Sequence, residues 1–194
     1  MEREAVLVGI DAGTTKVTTL IGEVGRTGDV NVIGYGIAPS AGMKKGMVAN
    51  IDQTVNSIAS SVEKAERLSG YKISSAFAAV AGSHISSQNS RGVVAVSGHK
   101  REVSREDVGR ATEAAKAVQV PSNREMLHVV PRGYIVDGQE GIKDPLGMSA
   151  VRLEVETHIV HASATAVQNL SKCVQRADIR IDELVCASLA SVGA

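Results

Sequence analysis

The chain has 194 residues, and its 21 lysines and arginines are balanced by 21 aspartates and glutamates, so the formal net charge is zero. This balance argues against a general nucleic-acid binder, and the scarcity of aromatic residues argues against a protein that stacks single-stranded bases. The acidic N-terminus does not fit a secretory signal, and no apolar run approaches ~18 residues, so we expect a cytosolic protein without a transmembrane helix.

The first 82 residues predict the element order β-β-β-α-β. Strands at 5–11, 16–23 and 30–37 are rich in Val, Ile and Thr, and the short turns between them predict an antiparallel meander. A glycine-rich stretch with Lys44 and Lys45 follows, which we assign to a solvated loop. The next predicted elements are a helix capped by Asp52 and ended by Gly70, and a strand at 73–81.

The sequence pattern changes after residue 82, and the chain stops inside a predicted helix, which suggests a piece of a longer protein. The later predicted elements are extended chain at 84–97 with a hairpin at 90–92, a helix from Ser104 to about 118, strands at 124–136 and 151–162 around a turn-rich loop, a helix capped by Ser163, a strand at 179–187 and a helix from Leu189.

The segment between the first two strands, Asp-Ala-Gly-Thr-Thr-Lys at 11–16, allows two interpretations. Asp-x-Gly is common in hairpins, where Asp bonds to its own backbone and Gly adopts a positive φ. This chemistry does not explain Thr-Thr-Lys. Successive N–H groups of such a turn can instead bind an anion. In that case Gly13 allows close approach, Thr14 and Thr15 add hydroxyl groups, Lys16 meets a phosphate and Asp11 holds a hydrated Mg²⁺.

Other phosphate and metal motifs are weak in this sequence. There is no P-loop pattern, and Gly34-Tyr35-Gly36 lacks the third glycine of a dinucleotide fingerprint. Asp137, Glu140 and Asp144 form a carboxylate cluster in a Gly/Pro-containing loop, and we favour turn formation over a metal site there.

The strand, the Asp-x-Gly-Thr-Thr-Lys turn and the two strands after it resemble the first phosphate loop of the actin/Hsp70/sugar-kinase superfamily. Within it, the chain resembles the FtsA family of bacterial cell-division proteins over essentially its whole length. The matching stretches are IDAGTTKV at 10–17, VNVIGYGIAPSAGMKKGMVANID at 30–52, HVVPRGYIVDGQEGIKDPLGMSAVRLEVETHIV at 128–160 and ELVCASLAS at 183–191. The third stretch is the most specific, because actin and Hsp70 have nothing similar there.

The resemblance implies an actin-like α/β fold of the ribonuclease-H type. A mixed sheet with flanking helices, called subdomain 1A, would occupy 1–82 and 163–194. A small α+β subdomain called 1C, with three strands and one helix, would be inserted at 83–162 and contribute polymer and partner contacts.

The resemblance also implies that ATP and Mg²⁺ lie against the residues of the first loop, namely Asp11, Gly13, Thr14, Thr15 and Lys16, with Asp11 contacting the metal through water. The family's second phosphate loop, D-x-G-G-G-T, does not occur in these 194 residues. We therefore expect the isolated chain to bind ATP weakly or not at all. Related ATPases place Gln or Glu near the position of Ala187, give or take one residue, so we assign no catalytic residue and expect at most slow hydrolysis.

For the complete protein, the resemblance implies an actin-like polymer that links FtsZ filaments to the cytoplasmic face of the cell membrane at the division site. Later division proteins would bind at 83–162, whereas the FtsZ site and the membrane-binding C-terminal helix would lie outside this chain. No nucleic-acid partner is expected. Three alternatives stay open: a PilM-like pilus assembly protein, a sugar-kinase-like enzyme, for which we find no general base, and an interaction module that never binds nucleotide.

Overall fold

The computed structural model describes residues 5–97, 101–118 and 120–192, which divide into two compact units. The first unit is formed by Met1–Ile85 and Ser163–Ala194, and the second by Ser86–Ala162. The strands are β1 (Ala5–Ala12), β2 (Lys16–Val24), β3 (Val30–Pro39), β4 (Met43–Lys44), β5 (Met47–Val48), β6 (Ser75–Val80), β7 (Ser86–Ala95), β8 (Arg124–Val136), β9 (Gln139–Ile142), β10 (Arg152–Ser163) and β11 (Arg180–Cys186). The helices are α1 (Ile51–Ser69), α2 (Arg105–Lys116), α3 (Ala164–Arg176) and α4 (Ala187–Val192).

The first unit is built on a five-stranded mixed sheet with the strand order β11-β6-β1-β2-β3. The β1–β2 and β2–β3 pairs are antiparallel, as the short turns predict, whereas β6 runs parallel to both β1 and β11. The predicted fold class, a mixed sheet with flanking helices, is confirmed.

Helix α1 packs closely on one face of this sheet. A Cβ atom added to Gly36 of β3 would lie 1.8 Å from the carbonyl oxygen of Ser61, and one added to Gly34 would lie 2.6 Å from Cβ of Ser69. A buried hydrogen bond of 2.8 Å joins the hydroxyl groups of Thr19 and Ser61 across the contact. The two glycines of the Gly-Tyr-Gly stretch therefore permit helix–sheet packing.

The opposite face of the same sheet presents apolar side chains. Leu7 on β1 and Leu20 on β2 keep 41% and 46% of their surface exposed, although both alternate with fully or nearly buried neighbours such as Val8 and Ile21. Alternate residues of a strand point to opposite faces. One face of the sheet thus forms the core, and the other carries exposed aliphatic groups.

The second unit contains a four-stranded sheet with the order β7-β10-β8-β9, on which α2 packs. A Cβ atom on Gly92 of β7 would lie 1.9 Å from the carbonyl oxygen of Ala111 and 2.5 Å from the nitrogen of Ala115. The hairpin predicted at 90–92 is wrong, because Gly92 admits the helix backbone and β7 continues through it. The unit has four strands instead of the three expected, since the turn-rich loop contains β9.

The helix boundaries follow the predicted caps with two exceptions. Ser104 and Ser163 cap α2 and α3 as predicted, and Gly70 ends α1 with a φ of 72°. However, α1 is capped by Asn50, whose side chain accepts the N–H of Gln53 at 3.0 Å, and Asp52 lies in the first turn. At the end of the described chain, the helix begins two residues before the predicted Leu189.

The glycine-rich stretch after β3 is more ordered than a solvated loop. It contains the hairpin formed by β4 and β5, with Met43 opposite Val48 and Lys44 opposite Met47. None of the helices in the described residues is long and apolar enough to cross a membrane.

Candidate phosphate-binding site

The turn between β1 and β2 consists of Gly13, Thr14 and Thr15. The N–H of Gly13 donates to the carbonyl oxygen of Lys16 at 3.0 Å and closes the turn. Gly13 does not adopt a positive φ, so the conformational role expected from hairpin chemistry is wrong. Instead, a Cβ atom added to Gly13 would lie 3.0 Å from the carbonyl oxygen of Lys16. This is the oxygen that accepts the Gly13 N–H, so a side chain at this position would crowd the hydrogen bond that closes the turn.

Two neighbouring segments hold this turn in place. The carbonyl oxygen of Thr15 accepts the N–H of Ser40 at 3.1 Å, and the Thr14 hydroxyl oxygen accepts the N–H of Gly46 at 3.1 Å. Both threonines are exposed, and their own N–H groups donate to no acceptor within the described residues. The turn therefore presents two backbone donors and a hydroxyl proton to solvent from a fixed position.

Asp11 and Lys16 stand at the strand ends on either side of the turn. Asp11 lies opposite Thr18 in the β1–β2 ladder. Partial desolvation of the Asp11 carboxyl raises its pKa above the ordinary value, while the positive charge of Lys16 opposes this rise. The five residues singled out from the sequence are thus brought together at one end of the sheet.

Asp11 is the candidate contact for a hydrated Mg²⁺, because Mg²⁺ keeps several waters and takes only one or two carboxylates from a protein. Within the described residues, no group of three or more His, Cys, Asp or Glu side chains could hold a metal ion by itself. A metal here would need further oxygen ligands from phosphate or water.

A cavity of about 360 Å³ adjoins the turn inside the first unit. Asp11, Lys16 and Thr18 supply its polar groups, and most of the remaining lining is apolar, with Leu20, Phe77 and Val185 in its wall. The cavity connects the charged strand ends with the apolar face of the sheet.

The sequence reasoning missed the partners of the turn, Ser40 and Gly46. Gly46 is fixed in turn by the end of β6, since a Cβ atom on it would lie 2.5 Å from the carbonyl oxygen of Ala81. A local signal for this hairpin existed, because Lys45-Gly46 is a two-residue loop with glycine at a position that requires a positive φ.

The first described residues of α4 are Ala187, Ser188 and Leu189, so neither Gln nor Glu stands at the start of this helix. Strand β11 ends at the buried Cys186, one residue earlier than predicted, and Ala187 is the first residue of the helix. The hydroxyl group of Ser188 lies 3.2 Å from the Cys186 sulfur.

Two of the three carboxylates at 137–144 accept hydrogen bonds from backbone N–H groups. Asp137 has a φ of 48° and accepts the N–H groups of Val151 and Arg152, and Asp144 accepts the N–H of Leu146 at 3.1 Å. The interpretation of these two residues as turn formers is confirmed.

The chain is similar in sequence to proteins of one bacterial family. Residues 82–161 match the family model described as an SHS2 domain inserted in FTSA. The chain is 45% identical over 186 residues to the cell division protein FtsA of Pseudomonas aeruginosa, a match that covers 96% of this chain. The chain belongs to the FtsA family. It is also 45% identical over 186 residues to FtsA of Borreliella burgdorferi, and it spans 44% and 45% of the length of these two FtsA proteins.

A solved structure shares the fold of this FtsA-family chain. A chain of the PilM-PilN type IV pilus biogenesis complex aligns with a TM-score of 0.65 at 14% identity, covering 96% of this chain and 49% of its own length. The alignment supports the actin-like fold expected from the sequence. At this identity the likeness concerns the fold alone, whereas the 45% identities establish the FtsA family over the PilM alternative.

Proposed function

We propose that the full-length protein is an ATP-binding, actin-like scaffold of cell division. In this proposal it polymerises, links FtsZ filaments to the cytoplasmic face of the cell membrane at the division site, and recruits later division proteins. Membership of the FtsA family supports the role in cell division. The observation that carries the nucleotide part is the fixed turn at 13–15, which presents free donors beside a lysine.

Each residue of the turn has a defined task in this proposal. The N–H groups of Thr14 and Thr15 and the Thr14 hydroxyl proton are donated to phosphate oxygens, and Lys16 neutralises the charge of the β- or γ-phosphate. Asp11 accepts hydrogen bonds from water molecules on Mg²⁺. The bound Mg²⁺ would itself neutralise phosphate charge. Since the turn is already held by Ser40 and Gly46, little conformational entropy is lost when phosphate binds.

The second unit, residues 86–162, is proposed to contact neighbouring subunits and later division proteins. It has a hydrophobic core of its own, formed by seven buried residues: Val103, Ala111, Ala115, Val136, Ala150, Leu153 and Val155. An independent core lets its outer surface vary with the partner while the fold is kept. The contacts to FtsZ and to the membrane are assigned to parts of the protein outside this chain.

ATP is proposed to stabilise the polymer-forming state and to be hydrolysed slowly. By the family resemblance, Ala187, give or take one residue, takes the place where related ATPases have a water-orienting Gln or Glu. Its neighbours Cys186 and Ser188 lie against each other. A full-length protein that turns ATP over rapidly when it polymerises would contradict this part of the proposal.

The nucleotide proposal is tested by Lys16→Ala in the full-length protein, with Mg·ATP binding measured by calorimetry. A hydrogen bond to a charged group contributes about 1.5–3 kcal/mol, so we expect ATP affinity to fall at least about tenfold. Lys72→Ala is the matched control, since Lys72 is exposed and pairs with Glu66 away from the turn. Equal ATP affinity in the wild type and the Lys16 variant would reject the phosphate site.

A further inference from the structure

The β4–β5 hairpin has an unusual residue in its turn. Its two central residues, Lys45 and Gly46, have φ values of 52° and 77°. Two successive positive φ values define a type I′ turn, which favours Asn, Asp or Gly at both positions. A lysine in the left-handed region is strained by its Cβ atom. The chain thus keeps a lysine at a position where asparagine would fit the backbone better.

No local contact of Lys45 compensates for this strain. The side chain is exposed, and within the described part of the chain it forms neither a salt bridge nor a hydrogen bond. Strained backbone positions of this kind are enriched where a residue has a functional task.

The hairpin is also fixed beside the candidate phosphate site. The N–H of Gly46, the residue directly after Lys45, donates to the Thr14 hydroxyl oxygen at 3.1 Å. On its other side, Gly46 fits so closely against Ala81 and Gly82 that an added Cβ would lie 2.5 Å and 2.7 Å from their backbone atoms. The position of Lys45 relative to Thr14 is therefore set by backbone contacts on two sides.

The hydrogen bond from Gly46 also determines which atom of the Thr14 hydroxyl group can contact a ligand. Because the hydroxyl oxygen accepts the Gly46 N–H, the hydroxyl proton remains available for an outside acceptor. Lys45 directly precedes Gly46, so its backbone lies one residue from this contact. The long side chain of lysine supplies three rotatable donors around one charge.

We propose that Lys45 is a second phosphate-binding lysine, which contacts the terminal phosphates of a nucleotide held at 13–16. This inference rests on the proposed function and adds a specificity to it. Two lysines, Lys16 from the strand end and Lys45 from the hairpin, would favour di- and triphosphates over monophosphates. A nucleoside monophosphate has no β- or γ-phosphate for Lys45 to contact.

The test compares Lys45→Asn with Lys44→Asn in the full-length protein, using Mg·ATP and AMP as probes. Both variants remove one positive charge from the same hairpin, but Lys44 lies in β4 with an ordinary backbone. We expect Lys45→Asn to weaken ATP binding about tenfold, which is the effect of one lost charged contact. AMP binding should stay within about twofold of the wild type, as should ATP binding by Lys44→Asn.

Thermal unfolding supplies an independent measurement. Asn is more compatible with a positive φ than Lys, so Lys45→Asn should keep or raise the melting temperature while it weakens ATP binding. A structural role for Lys45 would lower both together. If Lys45→Asn lowers the melting temperature, Lys45→Gly replaces it as the test, because glycine adopts a positive φ without strain, and this variant should also lose ATP affinity about tenfold.

The outcomes separate this inference from the proposed function. If Lys16→Ala loses ATP binding and Lys45→Asn does not, the turn binds phosphate without Lys45, and the inference is wrong. If neither variant changes ATP affinity, the proposed function itself fails. Equal losses in Lys44→Asn and Lys45→Asn, or equal losses of ATP and AMP, would show a general charge effect and would also overturn the inference.

Discussion

The first turns of α1 and α2 use an acidic residue in opposite ways. Asp52 in α1 keeps 77% of its side chain exposed and pairs with Arg176 at 2.8 Å. Asp107 in α2 is fully buried and accepts hydrogen bonds from the N–H and hydroxyl groups of both Ser97 and Ser104. One carboxylate belongs to the surface of the first unit, and the other is part of the interior of the second.

Other polar groups also divide into buried and exposed ones, and in the first unit the buried ones include Thr19 and Ser61. In the second unit, Glu154, Thr157 and His161 are buried, and His161 accepts a hydrogen bond of 2.6 Å from Arg124. In the first unit, Thr14 and Thr15 are exposed on a turn that other segments already hold. Buried polar groups have hydrogen-bond partners inside the protein. Groups that bind a ligand are therefore better sought among polar groups that are exposed but held in a fixed position.

The largest expected loss of stability comes from adding a side chain at the close contact between β7 and α2. Gly92→Ala would place a Cβ atom 1.9 Å from the Ala111 carbonyl oxygen, and two backbones would have to separate. We expect the free energy of unfolding to fall by at least about 3 kcal/mol. Hydrogen exchange of the α2 amides should accelerate most, because the helix loses its packing on the strand.

Gly109→Ala is the matched control for this substitution. Gly109 is exposed on α2, and an added Cβ would meet no atom within 4 Å. Alanine should raise the stability of the helix by about 0.5–1 kcal/mol. A Gly92→Ala variant as stable as the wild type would show that α2 does not pack on β7 as described.

Removal of the buried charge should have the next largest effect. Burial alone would raise the pKa of Asp107, but the hydrogen bonds from Ser104 and Ser97 outweigh burial and hold its pKa well below the ordinary value. Asp107→Asn replaces an acceptor oxygen by a donor facing these groups. We expect a loss of about 1–3 kcal/mol at pH 7, measured by urea unfolding.

The difference in stability between the wild type and Asp107→Asn should also depend on pH. A carboxyl whose pKa is lower in the folded state contributes stability above its unfolded pKa, about 3.9, and loses it as the pH falls through this value toward the folded pKa. The difference between the wild type and Asp107→Asn should therefore shrink below about pH 4. A constant difference from pH 7 to pH 3 would mean that Asp107 is not held by these bonds.

The smallest effect is expected for the exposed carboxylate. Asp52→Asn removes a surface ion pair with Arg176, and such pairs contribute about 0–1 kcal/mol. Unfolding in low and high salt should show a small loss that salt reduces further. A loss as large as that of Asp107→Asn would contradict the contrast between the two helix starts.

Sequence reasoning succeeded where the signal is local. The β1–β3 meander, the caps Ser104 and Ser163 and the terminating Gly70 depend on residue type and short spacing. It failed at Gly92, because a glycine that admits a helix and a glycine in a turn look alike in sequence. The two-residue strands β4 and β5 are too short to show a strand pattern, and the Lys45-Gly46 turn between them was a local signal that the sequence reasoning overlooked.

The candidate site also has a part that the sequence predicts and a part that it does not. Its five residues are contiguous or nearly so, and they could be identified from one short motif and a family resemblance. The contacts that hold the turn come from Ser40 and Gly46, which lie 25 and 32 residues away in sequence from the threonines they bond. Such contacts depend on how β3 and the β4–β5 hairpin fold back, which no local pattern encodes.

A crystal structure of the full-length protein with Mg²⁺ and a non-hydrolysable ATP analogue would test the central claim most directly. The proposed function predicts phosphate oxygens within about 3 Å of the N–H groups of Thr14 and Thr15 and of the Lys16 ammonium group. Phosphates bound elsewhere, with these donors left to water, would contradict it.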